Sequence, residues 1–405
     1  MGDIKHNFDV IIVGSGIAGS ALACALGGSS MRVAVIEAQK ISTAWPEQND
    51  SIDGFDARVS ALTVASQGFL QSLDVWPAIC EKRVSPYQHM HVWDADGTAS
   101  IDFSANDINQ PCLGHIVENS LTINALARRM TQFPNVQLID QSKLESFSVG
   151  GVGSEIVLDD GRVLTAPLVV AADGANSQIR HQAEFLMREW DYNHKAIVAT
   201  VQTSKKHQQT AWQRFLPEGP LAFLPLQSSN FDEHFCSIVW SATPQYADNL
   251  MALGDQEFCE NLATAFEYRL GKITAVGSRV CFPLKQRHAV SYVKPGLALV
   301  GDAAHTIHPL AGQGINLGLL DVRALAEELL RAEARSLNFG ELAVLQRYER
   351  RRKGSNLAMM AGMEGFKRLF EQPALPVRWA RNTGMRWLDK TTGLKHQVMR
   401  KAMGL

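Results

Sequence analysis

The sequence predicts an α/β fold. A doubly wound, mostly parallel sheet is interrupted by a strand-rich insertion and followed by a helical C-terminal region. Three observations predict it. A buried strand, a glycine turn and a small-residue helix open the chain at 8–26, with a second strand close behind. A second strand-and-glycine run occupies 297–318, far along the chain. Between them, 185–281 reads mostly as strands.

Phe8 to Val13 reads as a buried strand, Ile17 to Leu26 as a helix, and Arg32 to Ile36 as a second strand ending at Glu37. This is a βαβ unit, which implies a parallel sheet. A hydropathy window could take 8–26 for a membrane span. Gly14, Ser15, Gly16, Gly19 and Ser20 interrupt it where a turn needs them, so a buried strand–turn–helix is the better reading. Residues 42–56 are polar and read as a loop, and Ala57 to Leu73 reads as a helix. His89–Trp93 and Ala99–Phe103 alternate around the turn 95–97 and predict a hairpin. Ser120 to Met130 is helical. Gln137–Asp140, Ser154–Leu158 and Leu164–Ala171 are strands, with Asp160–Gly161 as a hairpin turn. Further strands fall at Ile197–Gln202, Leu221–Leu226 and Phe235–Trp240, with one helix near Gln256 to Leu270. Leu297–Val300 is a strand leading to a helix over Ile315 to Ala332. The remainder, 341–405, reads as helices broken at Pro373 and Pro376.

A chain of 405 residues with 46% hydrophobic content can bury a sizeable core and predicts two or three domains. A net charge of -2 gives no basic field for nucleic acid. The cysteines at 24, 80, 112, 236, 259 and 281 form no CxxC pair, so neither a metal site nor a disulfide framework is indicated. Reduced thiols and a cytoplasmic location are the expectation, and the short polar N-terminus gives no sign of a signal peptide.

Three segments carry chemistry. The first is Gly14-Ser15-Gly16-Ile17-Ala18-Gly19, between a strand and a helix. Gly14 permits the tight turn, Gly16 lets the backbone approach a pyrophosphate, and Gly19 allows close helix–strand packing. The helix N-terminus supplies N–H groups and a positive dipole end. Glu37 ends the second strand, where an acid hydrogen-bonds a ribose hydroxyl. This segment alone does not separate FAD from NAD. The second is Gly301-Asp302-Ala303-Ala304-His305 followed by His308-Pro309-Leu310-Ala311-Gly312-Gln313-Gly314-Ile315-Asn316. Asp302 follows a strand and can reach a second sugar-type hydroxyl. Gly312 and Gly314 clear the entry to a helix whose N-terminus, near Ile315 and Asn316, can face an electron-accepting ring. A flavin needs such a distant second site; a nicotinamide dehydrogenase does not. The third is Ala172-Asp173-Gly174-Ala175-Asn176-Ser177, which by itself is equally well an ordinary turn.

In this order and at these separations the three segments resemble the class A flavoprotein monooxygenases of the p-hydroxybenzoate hydroxylase fold. The run His308 to Asp321, HPLAGQGINLGLLD, is similar to the signature of the ubiquinone-biosynthesis hydroxylases, as are LGHIVEN (Leu113 to Asn119) and Trp190 to Val201. The resemblance runs from near residue 8 to the C-terminus and is closest to hydroxylases acting at C5 of a polyprenylphenol ring. It implies a Rossmann-like, GR2-type FAD-binding domain made of 1–85, 113–184 and 282–340, an inserted β-sheet substrate domain made of 86–112 and 185–281, and a C-terminal helical region, 341–405.

The resemblance also implies roles. Gly14, Ser15, Gly16, Ile17, Ala18 and Gly19 would hold the FAD pyrophosphate, and Glu37 the adenosine ribose. Arg58 would lie along FAD and Asn119 would make a polar contact to it. Gly301 and Asp302 would meet the ribityl chain. Gly312, Gly314, Ile315 and Asn316 would meet the isoalloxazine ring, with Pro309 beside its oxygen-reacting edge. Asp173 and Gly174 would serve both FAD and the reductant, NADPH or NADH, with Arg180 a further candidate for the reductant's phosphates. His305 and His308 would orient groups near the flavin. The implied reaction transfers one atom of O2 from a C4a-hydroperoxyflavin to the ring. The substrate would be a prenylated phenol.

Some readings stay open. His89 and His91 alternate with apolar residues and read more readily as structural or exposed than as a base. Phe223, Leu224, Pro225 and Leu226 fit a pocket wall and an ordinary sheet core equally well. From Phe366 to Leu405, nine cations stand against two acids, interleaved with Trp379 and Trp387. That tail suits a helix face packed on the domain, a peripheral contact with the inner membrane, or docking to other ubiquinone-biosynthesis proteins. Alternatives for the activity are ring hydroxylation at another carbon or of another phenol, an NAD-dependent dehydrogenase, and a non-catalytic flavin-binding protein.

Overall fold

The computed structural model describes residues 6–95, 97, 99–150, 153–306, 313–372 and 374–405. Among these, the strands form sheets of six, nine, four and three strands. The six-stranded sheet runs in the order Val293–Lys294, Leu297–Leu299, Leu168–Ala171, Val10–Val13, Val33–Ile36, Val136–Ile139. All its pairings are parallel except the first. The reason is legible in VIIV, VAVI and LVVA: β-branched and aliphatic runs buried at every position, as a sheet covered on both faces requires. Each buried Val, Ile or Leu in them contributes about 1.5–3 kcal/mol on burial. The helices Ile17–Leu26 and Gln313–Glu333 pack together beside this sheet.

The nine-stranded sheet runs His305–Thr306, Val280–Ala289, Met187–Thr203, Phe235–Ala242, Gly219–Leu226, Thr210–Leu216, His89–Asp94, Ser100–Ser104, with Ile273–Val276 added beside Met187–Thr203. The predicted hairpin forms, with His91 opposite Asp102, and joins this sheet by parallel pairing of His89–Asp94 with Thr210–Leu216. One face of the sheet is covered by the helices Pro244–Ala252 and Asp255–Ala265; the second matches the helix expected near Gln256 to Leu270 but stops at Ala265, and the first was not expected. Phe223, Ile238 and Trp240 form that core, and Phe223 stacks on Phe266 at 3.8 Å between ring centroids. Phe223 is therefore sheet core, not pocket wall.

The stretch 57–73 departs from its expected helix. Val59–Thr63 is a strand paired with Gly114–Glu118, and only Val64–Ser72 is helical. A short apolar run satisfies either period, and here the tertiary pairing decides. The pair is tied to the helix Gln313–Glu333 by Asn316, whose Nδ2 donates to Ala61 O at 2.7 Å and whose Oδ1 accepts from Thr63 N at 2.9 Å.

The C-terminal region forms the helices Leu342–Glu371, Leu375–Lys390 and Thr392–Met403. The first packs on Gln313–Glu333, and the other two reach the edge strand of the large sheet. Phe370 and Met385 cluster with Val92, Ile101 and Phe215. Arg381 pairs with Asp94, both side chains buried.

Candidate functional site

The three segments meet at one edge of the six-stranded sheet. Val13, Ile36, Ala171 and Leu299 end four adjacent parallel strands in register. The ladder continues one step beyond them, with Gly14 N donating to Ile36 O, Ala172 N to Val13 O and Val300 N to Ala171 O. The glycine turn, Glu37, the Asp173 turn and the Gly301–Asp302 turn thus leave the sheet side by side. The carboxyl edge of a doubly wound sheet is where ligands bind, because helix N-termini and loops collect there.

Each glycine of the first turn has its own reason. Gly14 has φ +100°, and a Cβ on it would lie 2.5 Å from Ala172 O. A Cβ on Gly19 would lie 1.9 Å from Gly14 O. Gly16 differs: a Cβ there meets nothing within 4 Å. Nothing among the described residues requires glycine at 16, so the requirement points outward, to a group that approaches the backbone. The helix Ile17–Leu26 that follows has no side-chain cap and no acidic residue in its first turn. Its leading N–H groups and positive dipole end remain available for an anion.

Glu37 reaches back over this turn. Its Oε2 accepts from Ser15 N at 2.8 Å and Ser15 Oγ at 2.9 Å, and its Oε1 accepts from Gln39 N at 3.0 Å. Ser15 is thus engaged by Glu37, and the two form one rim of the site.

Asp302 is exposed, yet surrounding protein pushes its carboxyl pKa up by desolvation, while His305 and Arg58 oppose the rise. An exposed side chain deep among protein atoms faces a concavity. Arg58, itself exposed, lies close enough to act on Asp302 electrostatically. It leads into the strand Val59–Thr63, and its carbonyl accepts from Asn119 N at 2.9 Å. Asn119 in turn accepts from Ser60 Oγ at 2.6 Å. Gly301, at φ +58°, lies against Ala18 and Gly318, which brings the two helix N-termini together.

Asp173 is half-buried, and burial pushes its carboxyl pKa up, against hydrogen bonds from Ser177 and backbone N–H groups. Its Oδ2 accepts from Gln178 N at 2.8 Å. Its Oδ1 is buried with no hydrogen-bond partner among the described residues. Arg180 is not placed for a reductant's phosphates. Its guanidinium is buried and donates to Ala303 O at 3.0 Å and Ala175 O at 2.7 Å, tying the second and third segments together.

Gly314, Ile315 and Asn316 lie in the first turn of the helix Gln313–Glu333, beside this edge. The Asn316 amide is held by the strand Val59–Thr63 and so fixes this first turn against it. His308, Pro309 and Gly312 lie outside the described residues. Of the other histidines, His91 Nδ1 lies 2.5 Å from Asp102 Oδ1 and its ring lies beside Trp93 and Trp212.

Sequence reasoning missed a buried polar network behind the second segment. His305 Nε2 pairs with Asp321, whose other oxygen accepts from Arg352 Nε at 2.8 Å and Asn356 Nδ2 at 3.0 Å. Asn356 also reaches Tyr292 Oη, which lies 3.0 Å from His288 Nε2. Burial would raise the Asp321 pKa, but His305, Arg352 and Asn356 outweigh it and hold it down. The signal was available only as scattered polar letters within apolar stretches.

The arrangement fits a dinucleotide with an extended second half: an uncapped helix N-terminus at Ile17, an acid at Glu37 on the rim, and a second acid and helix N-terminus at Asp302 and Ile315. Residues 7–361 match the family model described as FAD binding domain. The chain is 38% identical over 397 residues to the 3-demethoxyubiquinol 3-hydroxylase of Escherichia coli (strain K12), covering 98% of each. It is 34% identical over 441 residues to the mitochondrial ubiquinone biosynthesis monooxygenase COQ6 of Xenopus tropicalis, covering 97% of this chain and 92% of that one. Its fold is similar to that of p-nitrophenol 4-monooxygenase PnpA from Pseudomonas putida DLL-E4, with a TM-score of 0.77 at 17% identity over 98% of this chain and 99% of that one. The chain belongs to the FAD-binding-domain family of FAD-dependent monooxygenases, and its relatives there are ubiquinone-biosynthesis hydroxylases.

Proposed function

We propose that this protein hydroxylates the aromatic ring of a polyprenylphenol in ubiquinone biosynthesis, at C5, using FAD, O2 and NADPH or NADH. The observation that carries this reading is the convergence of three FAD-type segments on one sheet edge, in a chain alignable end to end with ubiquinone-biosynthesis hydroxylases.

When bound, FAD supplies electron acceptance from the reductant and activation of oxygen. The chain's own residues hold and shield it. The turn Gly14–Gly19 and the first helix bind the pyrophosphate, with Glu37 on the adenosine ribose. Asp302 takes the ribityl hydroxyls, Arg58 and Asn119 line the cofactor, and Asp173 with Gly174 serves FAD and reductant. The first turn of Gln313–Glu333 gives the ring edge a positive dipole end, which stabilises added electron density there. By the resemblance of their motif, Pro309 and His308 would serve the ring, His308 as an orienting group.

The substrate part, 86–112 and 185–281, supplies the wall. Cross-strand register lines up Val198, Val239, Ala222, Gln213 and Val92 on the sheet face opposite the Phe223 core. Small apolar residues leave room for a ring and exclude water, which protects a reactive oxygen species from side reactions. Gln213 is a polar side chain in that row suited to hold a phenol oxygen. His91 belongs to the other face, beside Trp212, and is no part of this wall.

The test is incubation of the purified holoenzyme with a short-chain prenylphenol, NADPH or NADH, and oxygen. A product heavier by one oxygen and substituted at C5 by NMR is expected. Substitution at another carbon would move the regiochemistry. NAD(P)H oxidation with peroxide release and an untouched ring would reject the substrate class. A prenylated substrate lives in a membrane, so the reading also implies a peripheral membrane contact or hand-over from other enzymes of the route.

A further inference from the structure

We propose that the outer faces of the helices Leu375–Lys390 and Thr392–Met403 form a docking surface for an anionic lipid bilayer. The proposal rests on the hydroxylase reading only for its purpose, delivery of a prenylated substrate. The surface itself stands on the geometry of these two helices.

The inward face of the region is settled. Met385 packs with Phe370 on Val92, Ile101 and Phe215, and Arg381 is buried against Asp94. Met399 and Met403 pack on Ala105, Ile108 and Leu113. These contacts fix which sides look out. On them stand Trp379, 73% exposed, and Trp387, 59% exposed, together with Leu394, Val398 and Leu405. A tryptophan left mostly in water forfeits a large apolar burial unless something else covers it. The tail does pack on the domain, then, but its tryptophans keep most of their surface outside that packing.

Charge identifies the cover. From 375 to 405 the chain carries seven Lys and Arg against one acid, Asp389, although the whole chain is at -2. Asp389 is held by Lys395 at 3.0 Å and is only half-buried on the inner side. Lys390, Arg400 and Lys401 are exposed beside the apolar residues. A surface of indole rings and aliphatic side chains interleaved with cations matches the interface of an anionic membrane, where indoles sit at headgroup level and cations meet lipid phosphates. Among the described residues no helix is long and apolar enough to cross a membrane. The surface would lie on the bilayer with helix axes near its plane, the inner sides remaining packed on the protein.

Position adds a second argument. The row Val198, Val239, Ala222, Gln213 and Val92 continues to Ile101, and Val92 and Ile101 both lie in the cluster with Phe370 and Met385. The apolar wall therefore runs toward the inner side of the helix that carries Trp379 and Trp387. A long prenyl tail leaving the ring site along that wall would emerge at the membrane-facing helices.

The test is flotation of the full-length holoenzyme, without substrate, with vesicles of phosphatidylcholine alone or with phosphatidylglycerol. Binding is expected only with the anionic lipid, and it should fall as salt is raised. A Trp379→Ser/Trp387→Ser variant should bind about tenfold or more weakly, and so should Lys390→Glu/Lys401→Glu. Both should keep wild-type FAD content and NAD(P)H oxidation, because these residues lie on the outer surface. Absence of vesicle binding, or binding unchanged by both variants, overturns the proposal. So does a wild-type oligomer that the tryptophan variant dissolves without any vesicle binding, which would assign the face to a second copy of the chain. Failure of ring hydroxylation with intact vesicle binding would reject the substrate reading and leave the docking surface standing.

Discussion

His305 Nε2 lies 2.5 Å from Asp321 Oδ2, and both side chains are buried. The pair joins the turn after Asp302 to the middle of the helix Gln313–Glu333, whose first turn lies beside the candidate site. His305 Nδ1 has no hydrogen-bond partner among the described residues, so the ring is oriented from one side only. Removing the carboxylate leaves buried Arg352 without its counter-charge, and a broken buried pair costs about 3–5 kcal/mol. Asp321→Ala is expected to lower unfolding stability by about that amount in urea titration. A change below about 1 kcal/mol would show that the network relaxes onto water.

Gly14 and Gly16 should separate fold from ligand. Gly14→Ala places a Cβ 2.5 Å from Ala172 O at a positive φ, so the apoprotein itself should lose stability. Gly16→Ala meets no protein atom within 4 Å. Its apoprotein should melt within about 0.5 kcal/mol of wild type while FAD affinity falls at least about tenfold, read by flavin fluorescence. Equal effects of the two variants on apoprotein stability would contradict this division.

Glu37 hydrogen-bonds Ser15 from the end of its strand. Exchange of that contact for a ribose hydroxyl predicts that Glu37→Ala weakens FAD binding by about 1.5–3 kcal/mol, the range for a hydrogen bond to a charged group. Isothermal titration of apoprotein with FAD reads it, and FMN, which lacks the adenosine ribose, should bind both forms alike.

Acid should destabilise the fold before carboxylates titrate. Burial lowers the His288 pKa to about 4, helped by nearby His305, Lys353 and Arg188, and burial lowers that of His115 to about 4. The unfolded chain takes these protons near pH 6.5, so the stabilisation is complete above that pH and is lost as pH falls toward 4. Between pH 7.5 and 5, His288 alone should account for about 2 kcal/mol. His288→Gln should flatten the pH dependence of the urea midpoint; an unchanged slope would assign the loss elsewhere.

Much of the site was legible in the letters because its chemistry is local. A strand, Gly14, Gly16, Gly19 and an acid at Glu37 describe one continuous βαβ unit, and its backbone needs are written in consecutive residues. The pairing of His89–Asp94 with Ser100–Ser104 was legible for the same reason, through alternation. The strand Val59–Thr63 was not, because a five-residue run with three apolar positions satisfies a helix as well as a strand until a partner at Gly114–Glu118 is supplied. Arg180 misled for a related reason. A basic residue after an Asp-Gly turn suggests a phosphate, and only the fold brings Ala303 O to its guanidinium.

The sequence by itself determined the α/β class, the FAD-type segments and their order, since each depends on residues within one or two turns of chain. Only the tertiary structure decided that Val13, Ile36, Ala171 and Leu299 end side by side, that Phe223 faces the helix-covered core while Ala222 faces the opposite side of the sheet, and that Trp379 and Trp387 look outward. Register and facing depend on contacts between segments a hundred or more residues apart, and a one-residue slip of a strand would reverse every one of those assignments.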